Sequence, residues 1–487
     1  MKLYSILFLA VMILFLSSCK KDEVILRDSG VKLSFTTDTV MFDTVFTKKG
    51  SVTKRFLVHN DYKQSLQISS ISLGSGENSP FRMNVDGESG TSIKDYTVAG
   101  GDSFYIFVDV TINPNGQNQP FVIKDSIVFV TNGTIQDVKL IAWGQDAHYL
   151  KDSVIDYNAT WTNDKPYVIY NSILIRYDKT LTIQPGVKIH SYGKRTYDVE
   201  GGKITVQSTI YVEGTLIVNG TVDEPVKMQG TRLEQYYKDA AGQWGGIRIL
   251  PKSKDNYFKN LFIRNADFGI EVDSLPVNYP TPNLILENVR IENMGAACLL
   301  GKQTKIQAYN CLFDNSCQYL VYIDYGGEYE FYHCTFAHSS CQCTSRYPAM
   351  AFYNTDFKTG SVSTPNNLVL KMVNSIVYGD LYDQKKDEIE YKATGTGTIT
   401  IAIENTLLET AIPDLNINNN LINKDPLFSF PCKYNYKLDT LSFAVNTGRV
   451  ITSPPDPVNV AAKVGFDIEG KPRNVGKPDL GAFERQQ

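Results

Sequence analysis

Asn288-Val-Arg-Ile-Glu-Asn293 and Asn310-Cys-Leu-Phe-Asp-Asn315 are two copies of one phrase, and its recurrence decides the fold. Asn260-Leu-Phe-Ile-Arg-Asn265 precedes them and His333-Cys-Thr-Phe-Ala-His338 follows. Asn374-Ser-Ile-Val-Tyr378 and Asn405-Thr-Leu-Leu-Glu409 are degenerate copies. The first residues of successive copies lie 28, 22, 23, 41 and 31 positions apart, so the unit is near 22 residues and the longer intervals carry a loop. Each unit alternates apolar and polar residues with period two and shows no helical pattern. Such a unit cannot bury its apolar side alone and must stack on its neighbours. Crossovers between parallel strands are right-handed in nearly all cases. The repeat therefore predicts a right-handed parallel β-solenoid. Phe262, Ile291, Phe313 and Phe336 are expected to stack inside it, with Asn288 and Asn310 as an amide ladder.

The whole chain of 487 residues is too long for one compact core. Tyr (29) and Phe (24) are plentiful, and the net charge of −4 comes without a basic cluster, which argues against a nucleic-acid partner. The expected fold class is all-β: an N-terminal Ig-like β-sandwich, then a right-handed parallel β-helix with a C-terminal cap.

At the N-terminus, Lys2 and the apolar run Leu3–Leu16 end in Leu16-Ser-Ser-Cys19. The run is too short for an ordinary membrane span. It resembles the lipobox of bacterial lipoproteins, which implies a signal peptide over 1–18, cleavage before Cys19, and acylation (palmitate-type chains) at Cys19. Lys20-Lys-Asp-Glu23 is similar to the export signal that carries lipoproteins of the Bacteroidetes to the cell surface. The implied location is the outer membrane, lipid-anchored and surface-exposed, with 19–30 as a tether.

Residues 31–146 read as the sandwich, with candidate strands 31–35, 54–59, 66–73, 103–112, 126–131 and 136–143 between turn signals such as Asn132-Gly133. The segment Ser51-Val-Thr-Lys-Arg-Phe-Leu-Val-His-Asn60, with Leu66-Gln-Ile68 and Phe81, resembles an Ig-like domain of the PapD-like group of surface proteins, whose usual role is spacing or protein contact. Residues 147–166 read as a join, 167–430 as the β-helix and 431–487 as its closing segment. Insertions at 273–283, 339–365 and 379–398 read as loops. Pro185-Gly186, Gly214, Gly220 and Gly245-Gly246 punctuate the opening coils. Together these segments resemble sandwich-plus-β-helix lipoproteins of the Bacteroidetes, a likeness that carries fold and location rather than mechanism. Asp425-Pro426, Asn446, Arg473, Asp479 and Glu484 resemble the closure of secreted β-helix proteins, although Asn446 stands where Asp is more common. Arg473, Asp479 and Glu484 are expected to form a salt-bridged cap over the last coil.

Seven cysteines follow Cys19, and six of them fall between Cys298 and Cys343. Cys311 and Cys334 hold equivalent repeat positions and are expected to stack as small apolar residues. One or two disulfides are expected among Cys317, Cys341 and Cys343. The spacing follows the coil rather than paired C-x₂-C knuckles, so no metal is assigned.

Catalytic marks are missing. The Asp-Asp, Gly-His-Gly and Arg-x-Lys set of polygalacturonase-like enzymes does not occur, nor does a Gly-x-Ser-x-Gly elbow, a His-Glu-x-x-His or a phosphate-binding loop. His333 and His338 stand at Asn positions of the repeat and are read as stacking residues. Asp314 and Asp324 with Lys302 and Arg346 form the least unsuitable acid–base grouping, and no catalytic residue or cofactor is assigned. The better signal is aromatic. Tyr319, Tyr322, Tyr325, Tyr329 and Tyr332 crowd two coils beside Asp324 and Glu328. Aromatic faces with acidic neighbours suit sugar rings. Tyr319, Tyr322, Asp324, Tyr325 and Tyr329 are the candidate binding residues; the competing reading has alternate tyrosines merely packing the coil. The leading expectation is a non-catalytic envelope lipoprotein that binds glycan or an outer-membrane protein. A polysaccharide lyase or hydrolase comes second, and a structural subunit of an envelope complex third.

Overall fold

The computed structural model describes residues 24–486, apart from 117, 201, 235–236, 274–280, 340, 342, 344, 346, 356–365, 380–386, 394–396 and 454. The expected leader, Cys19 and the first tether residues lie outside the described residues, as does Arg346. The chain divides into two compact units, Met1–Asp146 and Ala147–Gln487.

The first unit holds two five-stranded sheets. One orders Ser34–Phe35, Lys54–His59, Ser103–Val110, Phe81–Val85 and Glu88–Gly90, all antiparallel. The other orders Thr39–Phe46, Thr134–Gln145, Phe121–Thr131, Leu66–Leu73 and Ser92–Val98, with the first pair parallel. Alternate residues of both sheets, including Phe56, Ile106, Ile68 and Phe129, share one buried core. Four of the ten strands are additions to the sequence reading: Thr39–Phe46, Phe81–Val85, Glu88–Gly90 and Ser92–Val98. Asn132 and Gly133 both take positive φ, 47° and 82°, and close the hairpin that pairs Thr131 with Thr134. Asn60 is buried at its strand end because its amide donates to the carbonyls of Gln64, Val98 and Ala99.

The second unit is a stack of parallel strands forming one 25-stranded sheet, from His148–Ile155 to Leu421–Ile422. The expected join at 147–166 is a correction: His148–Ile155 and Ala159–Trp161 already form the first coil, paired with Tyr167–Ile175 and Thr180–Ile183. That coil buries little beyond Ile155, Ala159 and Trp161, so its sequence reads as polar. Two segments read as loops also carry coil strands, Met350–Tyr353 and Ile389–Lys392.

The fourth residue of each phrase points inward. Met228, Ile263, Ile291, Phe313, Phe336, Val377 and Leu408 stand in register from coil to coil. Phe313 and Phe336 stack with centroids 4.9 Å apart and planes 4° from parallel. Phe262 is the third residue of its phrase, not the fourth. It therefore faces outward and is half-buried, and Ile263 takes the expected place. The second position is buried too, and Cys311 and Cys334 lie there as free thiols.

The phrase ends are corners. Asn260, Asn265, Asn288, Asn293, Asn310, Asn315, His333, Asn374 and Asn405 all have φ between 45° and 64°. Asn tolerates this left-handed region better than other side chains. The amide ladder is only partial. Asn288 donates to Asn260 Oδ1 at 3.4 Å and Asn293 to Asn265 Oδ1 at 2.7 Å. Asn310 instead donates to the carbonyls of Lys463 and Phe466, and Arg473 donates to its Oδ1.

Those partners belong to the tail, which runs along the side of the coils rather than only over the last one. Ile451, Val460 and Val464 pack on Tyr309, Tyr332 and Val373. Tyr436, Ile468, Ala482 and Phe483 pack on Leu312 and Ala337, while Leu438, Ala444 and Leu480 pack on Ile376 and Leu407. Two disulfides fasten this region: Cys317–Cys343, within the expected set, and Cys341–Cys432, which recruits a cysteine from the tail. Cys298 remains a buried free thiol.

Candidate functional site

Outward positions of successive coils form columns parallel to the stack, one residue per ~4.8 Å. One column reads Arg248, Glu271, Leu300, Tyr322, Ala351, Glu390. Beside it Lys302 pairs with Asp324, and Tyr353 with Lys392. Charge opens this face and aromatic rings fill its middle. Arg248 lies 3.5 Å from Glu271 and 3.2 Å from Asp273, and Lys302 lies 2.9 Å and 3.5 Å from the same two acids. Burial works against the Lys302 ammonium, but the Glu271 hydrogen bond and both acidic charges outweigh it and raise its pKa.

Four tyrosines form the aromatic patch. Tyr319 and Tyr322 have centroids 4.9 Å apart, Tyr319 and Tyr347 4.9 Å, and Tyr322 and Tyr353 5.8 Å. Tyr347 is 45% exposed, whereas Tyr322 and Tyr353 show little more than an edge. Burial pushes the Tyr319 phenol up to about 12, helped by the charges near Tyr347, Glu390 and Asp324. Burial and then the Glu390 charge push Tyr353 higher. These phenols stay protonated and keep their hydroxyl donors.

Of the sequence candidates, Tyr319, Tyr322 and Asp324 meet on this face. Tyr325 sits at the coil corner with φ 60°, followed by Gly326 at 75° and Gly327 at 117°. Val321 and Ile323 before this corner and Tyr329 and Phe331 after it all point into the core, so the alternation keeps its phase and Tyr329 is fully buried, its hydroxyl donating to the Gly326 carbonyl. Tyr329 is thus a core residue and not a binding residue. Tyr332 lies beneath the tail. Tyr347, Tyr353 and Glu390 escaped the sequence reading because they fall in segments read as loops. The register of Met350-Ala-Phe-Tyr353 on Val321–Ile323 is the signal that would have found Tyr353.

The acid–base grouping suggested by sequence does not assemble. Asp314 lies on another strand of the coil, Leu312–Ser316, and Lys302 is engaged by Glu271 and Asp273. A different acid pair does: Glu292 and Asp314 are in-register partners on adjacent coils, with Arg264 3.6 Å from Glu292. Both are buried under the tail, so no substrate reaches them there. Arg473, Asp479 and Glu484 are structural. Arg473 bridges Glu484 at 3.2 Å, and backbone amides of Asn446, Asn474, Asp479 and Arg485 donate to the two carboxylates. His333 accepts from the Asn374 amide at Nε2, 2.9 Å away; burial and then the Arg473 charge lower its pKa and keep it neutral. Among the described residues, no three His, Cys, Asp or Glu side chains converge as a metal site requires.

A family description of the right-handed β-helix region matches residues 140–336, which gives the stack its hand. No curated protein matches the chain. Among solved structures, a protein of unknown function from Porphyromonas gingivalis W83 is 12% identical over 26% of this chain and 59% of its own length, with a TM-score of 0.18. The chain therefore spans less than two thirds of that protein. XylC in complex with xylose is 9% identical over 96% of this chain and 92% of its own, TM-score 0.30. The catalytic domain of a GH87 alpha-1,3-glucanase with nigerose is 10% identical over 73% and 81%, TM-score 0.19. Likenesses at these TM-scores carry nothing about ligand or activity.

Proposed function

We propose that this protein is a cell-envelope lipoprotein, acylated at Cys19 and held at the outer-membrane surface, that binds polysaccharide through its tyrosine face without cleaving it. The observation that carries the binding reading is the cluster of Tyr319, Tyr322, Tyr347 and Tyr353, with ring centroids 4.9–5.8 Å apart, flanked on the same face by Asp324 and Glu390. The exposed Tyr347 and half-buried Tyr319, backed by Tyr322 and Tyr353, offer ring surface to the apolar face of a sugar, and the exposed Glu390 carboxylate and the phenols at the edge take its hydroxyls. The reading without cleavage is favoured because Glu271 and Asp273 are neutralised by Arg248 and Lys302, and Glu292 and Asp314 are sealed. The Ig-like unit serves as the spacer and the lipid as the anchor; two or more acyl chains make such an anchor stable.

The test is retention in gels containing plant, host or microbial polysaccharides, read together with product release. Retention without released sugar is expected. Release of reducing or unsaturated sugar overturns the non-catalytic reading, and no retention by any polysaccharide overturns glycan binding in favour of a protein partner. The anchor is tested apart, by labelling with an alkyne palmitate analogue, which Cys19→Ala is expected to abolish.

A further inference from the structure

The third position of each phrase faces outward, and the tail roofs it along much of the stack. Leu312 lies under Ile468, Ala482 and Phe483, Thr335 Oγ1 accepts from the Ala482 amide, and Ile376 and Leu407 lie under Leu438 and Leu480. Arg290 stands at the edge of this roof, its guanidinium 5.4 Å from the Phe483 centroid. Phe262, its in-register partner one coil earlier, is half-buried, with the Arg264 guanidinium 5.7 Å from its centroid. A cleft of about 240 Å³ opens at this point.

The cleft is lined by both apolar and polar side chains. Phe262, Val222 and Ile468 are among the apolar ones. Asn288, Arg290 and Glu469 are among the polar ones. Asn288 donates to Asn260 Oδ1, and its own oxygen is buried without a hydrogen bond. Glu469 is fixed as an acceptor by Lys437 at 2.9 Å and Lys471 at 3.0 Å, while Arg290 is only loosely paired with it at 3.9 Å. Fixed donors and acceptors around one aromatic ring suit a compact ligand with an apolar face and hydroxyls at its edge. The volume is below the ~300–1,000 Å³ of sites for drug-sized ligands, so it fits one ring rather than a chain.

We propose that this cleft is a binding subsite for a single sugar ring, stacked on Phe262 and held at its edge by Arg290 and Glu469. Phe262 belongs to the strand Leu261–Arg264 and Tyr322 to Tyr319–Tyr332, in different columns of the stack, so the proposal does not rest on the tyrosine face.

Saturation-transfer NMR on the detergent-solubilised full chain tests it, with the methyl glycosides of glucose, galactose, mannose and N-acetylglucosamine as probes. The host is Tyr322→Ala/Tyr347→Ala, in which the remaining transfer reports the cleft. At least one probe is expected to receive saturation at its ring protons. Adding Phe262→Ala is expected to weaken that probe's apparent affinity about tenfold, as loss of an aromatic platform does. Arg290→Gln, which removes the charge while leaving Phe262 in place, is expected to weaken it several-fold. Transfer unchanged by both substitutions, or absent for all four probes, overturns the subsite. Failure of the tyrosine-face reading shows separately, as equal transfer in the unsubstituted chain and the host.

Discussion

Glu292 and Asp314 occupy the same outward position on adjacent coils, in-register partners buried beneath the tail. Two carboxyl groups at that spacing cannot both ionise away from water. Burial raises the Glu292 pKa to about 7 against the pull of Arg264 and Arg290. Burial, reinforced by the Glu292 charge, raises Asp314 well above the usual carboxylate range. The tail, lying over this pair and fastened by Cys341–Cys432, makes the protonated state part of the fold.

Stability is therefore expected to depend on pH through this pair. A raised folded-state pKa means the folded protein holds protons that the unfolded chain releases. The pair's contribution is complete below the unfolded carboxylate pKa and is lost as pH climbs towards 7 at Glu292. Groups with lowered pKa, such as Glu287 and Asp456, act in the opposite sense, so the pair is isolated by comparison with Asp314→Asn. Between pH 5 and 8, as assay conditions, the variant is expected to lose less stability than the parent, by up to ~1.4 kcal/mol per pH unit. Superimposable melting profiles would show that the pair does not set the slope.

The two disulfides should differ in weight. Cys317–Cys343 spans 26 residues and Cys341–Cys432 spans 91. Chain-entropy arguments give roughly 3.5 and roughly 4.6 kcal/mol for loops of those lengths. Cys432→Ser is expected to lower the melting temperature more than Cys317→Ser. It alone should also open the tail to limited proteolysis without reductant. Equal proteolysis of both variants counts against a fastened tail.

The corrected register predicts unequal costs for two phenylalanines. Phe313→Ala leaves a cavity between Ile291 and Phe336 and is expected to cost about 3–5 kcal/mol. Phe262→Ala removes a half-buried outward ring and is expected to cost under ~1.5 kcal/mol. Calorimetry of both variants decides it; comparable losses would return Phe262 to the interior.

Tyrosines on the two sides of the corner at Tyr325–Gly327 should separate binding from folding. Tyr347→Ala removes a side chain that is 45% exposed. It is expected to weaken polysaccharide retention about tenfold while moving stability by no more than ~0.5 kcal/mol. Tyr329→Ala removes a fully buried ring and is expected to destabilise the stack by several kcal/mol. Retention unchanged in Tyr347→Ala and Tyr322→Ala alike would remove the tyrosine face from the proposal.

The repeat phrase was enough to read the stacked coils, the inward fourth position from Ile291 to Phe336, and the buried thiols of Cys311 and Cys334. Those features depend on period, local propensity and φ, all carried by a few adjacent residues. Other features needed distant parts of the chain to meet. Asn310 leaves its ladder for Lys463 and Phe466, more than 150 positions away by their hydrogen-bond separations of 153 and 156. Cys341 pairs with Cys432 across 91 positions. Tyr322 and Tyr332 share the outward phase of one tyrosine-rich run, yet Tyr322 stays on the aromatic face while Tyr332 is covered by the tail. Strand alternation assigns a side chain to one face of its strand, and a tail that lies across several coils then covers part of the outer face. Folding alone settles which outward positions remain in contact with water, and therefore where this protein can present a site.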